Sequence, residues 1–249
     1  MAGYVNYQLR YKTKGRFIFV PTEDCRLYGE RLLVECQAKV PLPAYHFHYA
    51  SGGHVAALHR HIENKFFFRI DIRNFFYAIR RNRVADALRH FSIPNPREKA
   101  KWSCVADPYS GAGYVLPIGF VQSPMLASMV VLRSPLGSAI EKSNARGAFV
   151  SMYFDDFIGS APDLKLLEET YADLLKACIC AALPVNPTKL IAPVSTATAF
   201  NCEVREGFAA VTAKRIDKFY EQAHGPAAVA SFIAYLRRVE RKNTRAAAI

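Results

Sequence analysis

Hydrophobic and polar positions along this chain switch repeatedly between a period of two and a helical period. GRFIFVP (Gly15–Pro21) reads as the second strand of a pair, and CRLYGERLLVECQAKV (Cys25–Val40) places apolar residues at helical spacing. PLPAYHFHYASGGH reads as a loop and HVAALHRHIEN as a short helix. KFFFRIDI (Lys65–Ile72) is aromatic and β-branched and too short for a buried helix, so it reads as a central strand. RNFFYAIRRNRVADALRHFSI turns into a helix that ends before Pro94, and residues 94–115 form a polar excursion punctuated by Gly and Pro. Val121–Asn144 reads as one long helix with small residues on one face. GAFVSMYFDDFIGSAP then gives strand–turn–strand, and Asp163–Ala182 a helix. A Pro-rich turn follows, with two short strands, FNCEV and FAAVT, around Glu206-Gly207. From Ala213 the pattern is one or two helices broken at Gly225-Pro226. Helices mixed with antiparallel hairpins make an α+β layout.

Composition narrows the picture. With 51% apolar residues in 249, the chain can build a substantial core and is not a disordered polyelectrolyte. No apolar run approaches the ~18 residues a membrane span needs. The opening MAGYVNYQLRYKTKG lacks an apolar stretch after its basic residues, so no secretory leader is expected. Six scattered cysteines (25, 36, 104, 178, 180, 202) form no paired framework, which fits a reducing cytoplasm. Thirty-three Lys and Arg against 21 Asp and Glu leave a formal charge of +12, which points to a polyanionic partner.

The acids carry the most information. Asp155 and Asp156 sit at the tip of a hairpin with apolar flanks, SMYFDDFIGS. Carboxylates held against an apolar sheet need a cation or an open cleft. An ordinary Asp-Asp turn is the bland alternative. Asp71 ends the apolar strand FFFRID, where an edge or cap role competes with a chemical one. If the two strands bring the three acids together, they would hold two Mg²⁺ about 4 Å apart, as in two-metal phosphoryl transfer.

These segments together resemble the reverse transcriptases over about residues 10–215. DIRNFF (71–76) resembles the first palm motif, LPIGFVQSPMLASMVV (116–131) the LPxGxxxSPxLAN-type motif, and YFDD (153–156) the Tyr-x-Asp-Asp hairpin. PVNPTK (184–189) resembles a later motif with a Lys near the nucleotide's phosphates, and KGRFIFVP (14–21) the fingers strand. Five motifs in the right order are specific where one is not. Gly-Phe-x-Gln-Ser-Pro most resembles bacterial enzymes of the abortive-infection and defence-associated groups, ahead of retron enzymes.

The resemblance implies a right-hand polymerase core with an antiparallel palm sheet and a reduced helical thumb. Its parts would be fingers (1–65, 94–115), palm (66–93, 116–212) and basic C-terminal helices (213–249). Asp71, Asp155 and Asp156 would hold two Mg²⁺ (Mn²⁺ as an alternative), with the Ile72 backbone as a further ligand. Phe76 would be the steric gate against a 2′-OH. Arg16, with Lys12 or Lys14, would meet the β/γ-phosphates, and Lys189 would protonate or screen the leaving pyrophosphate. Gly119, Gln122, Ser123 and Pro124 would shape the floor beneath the nucleotide. The implied partners are dNTP, a template or noncoding RNA, the DNA product, and a second copy or accessory protein, in the cytoplasm and without a membrane.

Departures from the family pattern are also visible. Ile118 stands where many members carry Gln, Phe154 is bulkier than the usual residue before the two acids, and HVAALHRH lacks the Asn-Ala-x-x-His run. An RNA-dependent RNA polymerase is a competing reading, disfavoured by Phe76 and by the absence of Gly-Asp-Asp. An inactive core serving as an RNA-binding module is another, disfavoured by the three intact acids. His46, His48, His54, His59 and His61 are dense enough to suggest zinc, but no cysteine pair completes a site, so solvated or RNA-facing imidazoles are favoured. The run RRVERKNTR (237–245) reads as a solvated helix face or a phosphate-tracking one.

Overall fold

The computed structural model describes residues 5–244. In chain order the elements begin with strands β1 (Tyr7–Thr13) and β2 (Arg16–Pro21), helix α1 (Glu23–Lys39), helix α2 (Gly53–His61) and strand β3 (Phe66–Asp71). A 3₁₀ turn (Phe76–Ala78) leads to α3 (Arg81–His90), α4 (Pro96–Ser103), β4 (Val105–Ala106), β5 (Tyr114–Val115), α5 (Ser123–Leu132) and α6 (Pro135–Ala145). Next come β6 (Phe149–Tyr153), β7 (Asp156–Ala161), α7 (Leu164–Cys180) and a second 3₁₀ turn (Pro187–Lys189). The last elements are β8 (Ile191–Val194), β9 (Thr196–Ala199), β10 (Cys202–Arg205), β11 (Phe208–Val211), α8 (Ala213–Tyr220) and α9 (Pro226–Glu240).

Three expectations change. The long helix Val121–Asn144 is two helices. Ser134 breaks it by donating its hydroxyl to the Val131 carbonyl while accepting the Leu136 N–H. Pro135 then opens α6, where its missing N–H costs nothing. The polar excursion 94–115 contains α4 and the β4–β5 pair, and the Pro-rich stretch before FNCEV contains β8 and β9. Short apolar periods in polar surroundings hide such elements from pattern reading. Arg245, the end of the basic run, lies outside the described residues.

The chain divides into two compact units. One comprises the residues up to Pro43, Ile72–Ser138 and Ala177–Pro184. In it β1 and β2 are joined by the two-residue turn Lys14-Gly15, both with positive φ (47° and 78°), the conformation that matches strand twist. Thr22 caps α1 by accepting the Cys25 N–H, and Glu23 and Asp24 complement the helix dipole in the first turn. Its core gathers Phe19, Cys25, Tyr77, Val105, Val115 and Phe120. Gly119 has φ 114°, and a Cβ there would overlap the Phe19 carbonyl, while the Phe19 N–H donates to Ile118 O at 2.9 Å. The glycine of LPIG thus lets two backbones touch.

The other unit comprises Ala44–Asp71, Ala139–Lys176 and the residues from Val185 on. Its four-stranded antiparallel sheet has the order β6-β7-β3-β8. Register pairs Asp71 with Asp156, Arg69 with Ile158 and Phe67 with Ser160, so these six side chains share one face. On the opposite face Phe68 lies over Gly159, with its ring 5.3 Å from that of Tyr171 on α7. No larger residue fits at 159 without displacing that ring.

Toward one end the first face is covered by α2, the sheet β11-β10-β9 and α9. Val55, Leu58, Phe67, Ile158, Val204 and Val239 make this second core. The opposite end of the same face is left to the acids.

Candidate active site

β3 and the β6–β7 hairpin position the candidate acids. Asp71 is the last residue of β3 and is 2% exposed. Its register partner, Asp156, is the first residue of β7, after the turn Phe154-Asp155. Phe154 adopts φ 55°, a left-handed conformation that aromatic residues avoid, so the turn is held by its surroundings rather than by preference. Asp155, half-buried, stands at that turn beside Asp156.

Two acids facing each other on neighbouring strands repel unless cations intervene. Here two do. Lys189 Nζ donates to Asp71 Oδ2 at 2.8 Å, and Asn186 Nδ2 donates to Oδ1 at 3.0 Å. The Asn186 N–H also takes the Asp71 backbone carbonyl, at 2.8 Å, which ties the PVNPTK segment to the end of β3. Arg69 reaches Asp156 Oδ1 through Nε at 2.9 Å and Nη2 at 2.5 Å. Burial nonetheless pushes the Asp156 carboxyl above its ordinary range, with the Arg69 charge pulling the other way.

Carboxylate oxygens are hard donors suited to Mg²⁺, which keeps several waters and takes phosphate oxygens from a substrate. Among the described residues no three His, Cys, Asp or Glu side chains gather as a complete ligand set. The Asp71–Asp156 pair therefore fits a partial shell, of the kind that water and substrate complete.

The remaining expected residues lie in the other unit. Lys14 and Arg16 are exposed at the β1–β2 tip, and Lys12 lies 5.5 Å from the Phe17 ring centroid. Ile72 is buried, and Phe76 is half-buried at the 3₁₀ turn with its ring 5.4 Å from that of Phe75. Gln122 is 1% exposed, packed on Gly29 with Nε2 donating to Ser103 Oγ at 3.3 Å. Ser123 is equally buried.

A family profile described as reverse transcriptase (RNA-dependent DNA polymerase) matches residues 9–201. The chain belongs to the reverse transcriptase family. Among solved structures it is similar to an apo telomerase from Candida tropicalis truncated from its C-terminal domain. The TM-score is 0.55 at 11% identity, covering 79% of this chain and 52% of that one. A foamy viral protease-reverse transcriptase in complex with an RNA/DNA hybrid is also similar. There the TM-score is 0.52 at 17% identity, covering 87% of this chain and 24% of that one. At such identities the likeness speaks for the fold, an α+β polymerase core. The chain spans about half of the telomerase and about a quarter of the viral protein. No curated protein sequence matches it.

Sequence reasoning missed two members of this reverse transcriptase's acid cluster. Arg69 was findable: a lone Arg inside an apolar strand, two residues before Asp71, must share that acid's face. Asn186 had no comparable signal, because its contact depends on how the segment folds back onto β3.

The histidines turn out to be built into the second unit's interior. His61 is fully buried, with Nε2 at 2.7 Å from Ser151 Oγ and Nδ1 at 2.8 Å from Ser160 Oγ, so it bridges β6 and β7. His59 Nε2 donates to the Val239 carbonyl at 2.9 Å, and His54 Nε2 is 3.2 Å from the Tyr235 hydroxyl. Burial holds His61 down to about 3 and His48 to about 4, so both rings are neutral.

A pH dependence follows, with this sign. Stability from these neutral rings is present above pH ~6.5, the unfolded value, and is lost as pH falls toward the folded values, because the unfolded chain takes up protons first. Urea denaturation should therefore show a large drop between pH 7.5 and pH 5. His61→Gln, which can still bond both serines, should lose about 1–2 kcal/mol less over that interval. Equal pH slopes would contradict the neutral buried ring.

The acid cluster makes its own prediction. In Arg69→Met the guanidinium bonded to Asp156 is gone and only the more distant Lys189 charge remains, so Mn²⁺ binding at pH 8, followed by electron paramagnetic resonance, should tighten severalfold. Weaker binding would mean that Arg69 positions the carboxylate instead.

Proposed function

We propose that this chain is an RNA-directed DNA polymerase that joins dNTPs to a primer 3′-OH, or to a protein hydroxyl. The observation that carries the reading is the register of β3 against β7, which sets Asp71 opposite Asp156 in a chain matching the reverse transcriptase family over 193 positions, 9–201. Asp71, Asp155 and Asp156 would hold two Mg²⁺. Those ions supply an activated hydroxyl and charge neutralisation at the leaving pyrophosphate. Lys189 spends its charge on Asp71. An arriving triphosphate competes for that ammonium, which then screens or protonates the pyrophosphate.

Roles in the other unit come from the resemblance. Phe76 would exclude a 2′-OH, Arg16 and Lys14 would take the β/γ-phosphates, Ile72 would add a backbone oxygen, and Gln122 and Ser123 would support the nucleotide floor. The form Gly-Phe-x-Gln-Ser-Pro supports a place among bacterial defence-associated enzymes, templated by a noncoding RNA in the cytoplasm. No helix among the described residues is long and apolar enough to cross a membrane.

Primer extension on an RNA template with Mg²⁺ tests the reading directly. Asp71→Asn and Asp155→Asn should each lower incorporation about 10²-fold or more, with the circular dichroism spectrum of the folded protein retained. Wild-type rates in either variant would remove the assignment, and no extension by the unmodified chain would leave an RNA-binding core.

Sugar choice gives a second test. Phe76→Ala should raise kcat/KM for ATP relative to dATP on the same template. An unchanged ratio would reject the gate, and a preference of the unmodified enzyme for ATP would make it an RNA polymerase.

A further inference from the structure

The excess positive charge is not spread evenly. The larger basic cleft, about 1010 Å³ between α3, α4 and β5, is largely satisfied internally. Arg80 pairs with Asp107 at 3.1 Å, Arg89 with Asp86 at 2.6 Å, and Arg81 lies 4.0 Å from the Tyr114 ring centroid. A second cavity, of about 450 Å³, behaves differently. It lies in the other unit, where the Ser51-Gly52 loop and α2 face the end of α9. Arg60, Arg238, Arg241 and Lys242 line it, and no carboxylate does. No ion pair among the described residues engages any of the four, although Arg60 lies 4.7 Å from the Phe149 ring centroid and Arg238 6.0 Å from that of Tyr235.

Four like charges around one cavity repel, and a flexible chain would spread them apart. This backbone is prevented from doing so. His59 holds the Val239 carbonyl at 2.9 Å, Asn243 makes paired bonds to the Ala209 N–H and carbonyl at 2.8 and 3.0 Å, and the Thr244 N–H donates to Gly207 O at 2.8 Å. The segment that carries Arg241 and Lys242 is thereby fixed to α2 and β11. The opposite wall is the start of α2, where the Gly53 N–H donates to the Ala50 carbonyl at 3.1 Å and the next two N–H groups lack intrahelical acceptors and favour an anion. Gly52, at φ 84°, leaves that approach free of a side chain.

We infer that this cavity is a phosphodiester-binding site, taking one backbone phosphate and its neighbouring nucleotide from a nucleic-acid strand. Its volume suits a nucleotide-sized group, and guanidinium forks suit phosphate oxygens. The identity of the ligand as a strand rests on the polymerase reading. The site itself needs neither Asp71 nor Asp156.

The test is fluorescence anisotropy of a labelled single-stranded RNA with the whole chain, in EDTA and without nucleotide, so it is blind to catalysis. Arg241→Gln with Lys242→Gln should weaken binding at least about tenfold. The slope of log K against log salt should also fall by about 0.7, for the one phosphate the cavity takes. Ser51→Asp, which places a carboxylate on the other wall, should weaken binding as well. Lys165→Gln with Lys218→Gln removes the same charge from exposed helix positions that do not line the cavity, and should change affinity less than about twofold. Equal losses in the two double variants would reduce the effect to net charge and overturn the site. An unchanged Kd and slope in the cavity variant would overturn it too. Displacement by millimolar pyrophosphate or ATP as readily as by unlabelled RNA or DNA would assign the cavity to a free anion and overturn the strand. A chain that binds as expected but extends no primer would instead fail the polymerase reading alone.

Discussion

Everything at the proposed catalytic end depends on two carboxylates that the β3–β7 ladder sets face to face. At about 5 Å and an effective dielectric near 20 their repulsion is roughly 3 kcal/mol, large against the stability of a domain. The fold tolerates it because Arg69 comes from the same strand two residues earlier and Lys189 from a segment tied to the end of β3. Each acid thus keeps a counter-charge that an external cation or a phosphate can exchange. A pair neutralised by an apolar wall or by protonation would offer no such exchange.

A few residues along the same strands, the face changes character. Phe67 and Ile158 enter a core with α2, the three-stranded sheet and α9, and His61 stitches β6 to β7 through two serines. Tyr153, from the acid hairpin itself, packs its ring 5.5 Å from Phe200 at the β9–β10 turn. This packing braces the hairpin that bears Asp155 and Asp156, and it lets Phe154 remain in a conformation it would not choose. His59 and His61 serve the same bracing, bonding the Val239 carbonyl and the two serines within the unit.

Much of this was legible from residues alone. Aromatic and β-branched runs marked β3 and the β6–β7 hairpin, and the three acids stood out against apolar flanks. Helix breaks were harder. Ser134-Pro135 inside an otherwise helical run looks like a tolerable kink until Ser134 is seen bonding both sides of it. The strands β8 and β9 are four residues each, too short for periodicity to separate from loop.

Local chemistry, then, was decided by sequence: which strands form, which face each acid takes on its own strand, and that Arg69 must share a face with Asp71. Those are nearest-neighbour facts, set by backbone alternation and side-chain type. Only tertiary structure decided register, and with it that Asp71 meets Asp156 and that Lys189 and Asn186 fold back to compensate it. It alone gathered Arg60, from α2, with Arg238, Arg241 and Lys242 around a cavity that no carboxylate lines. Pairing and charge compensation between residues more than 80 positions apart depend on which segments touch. One sequence, read residue by residue, carries no distance between them.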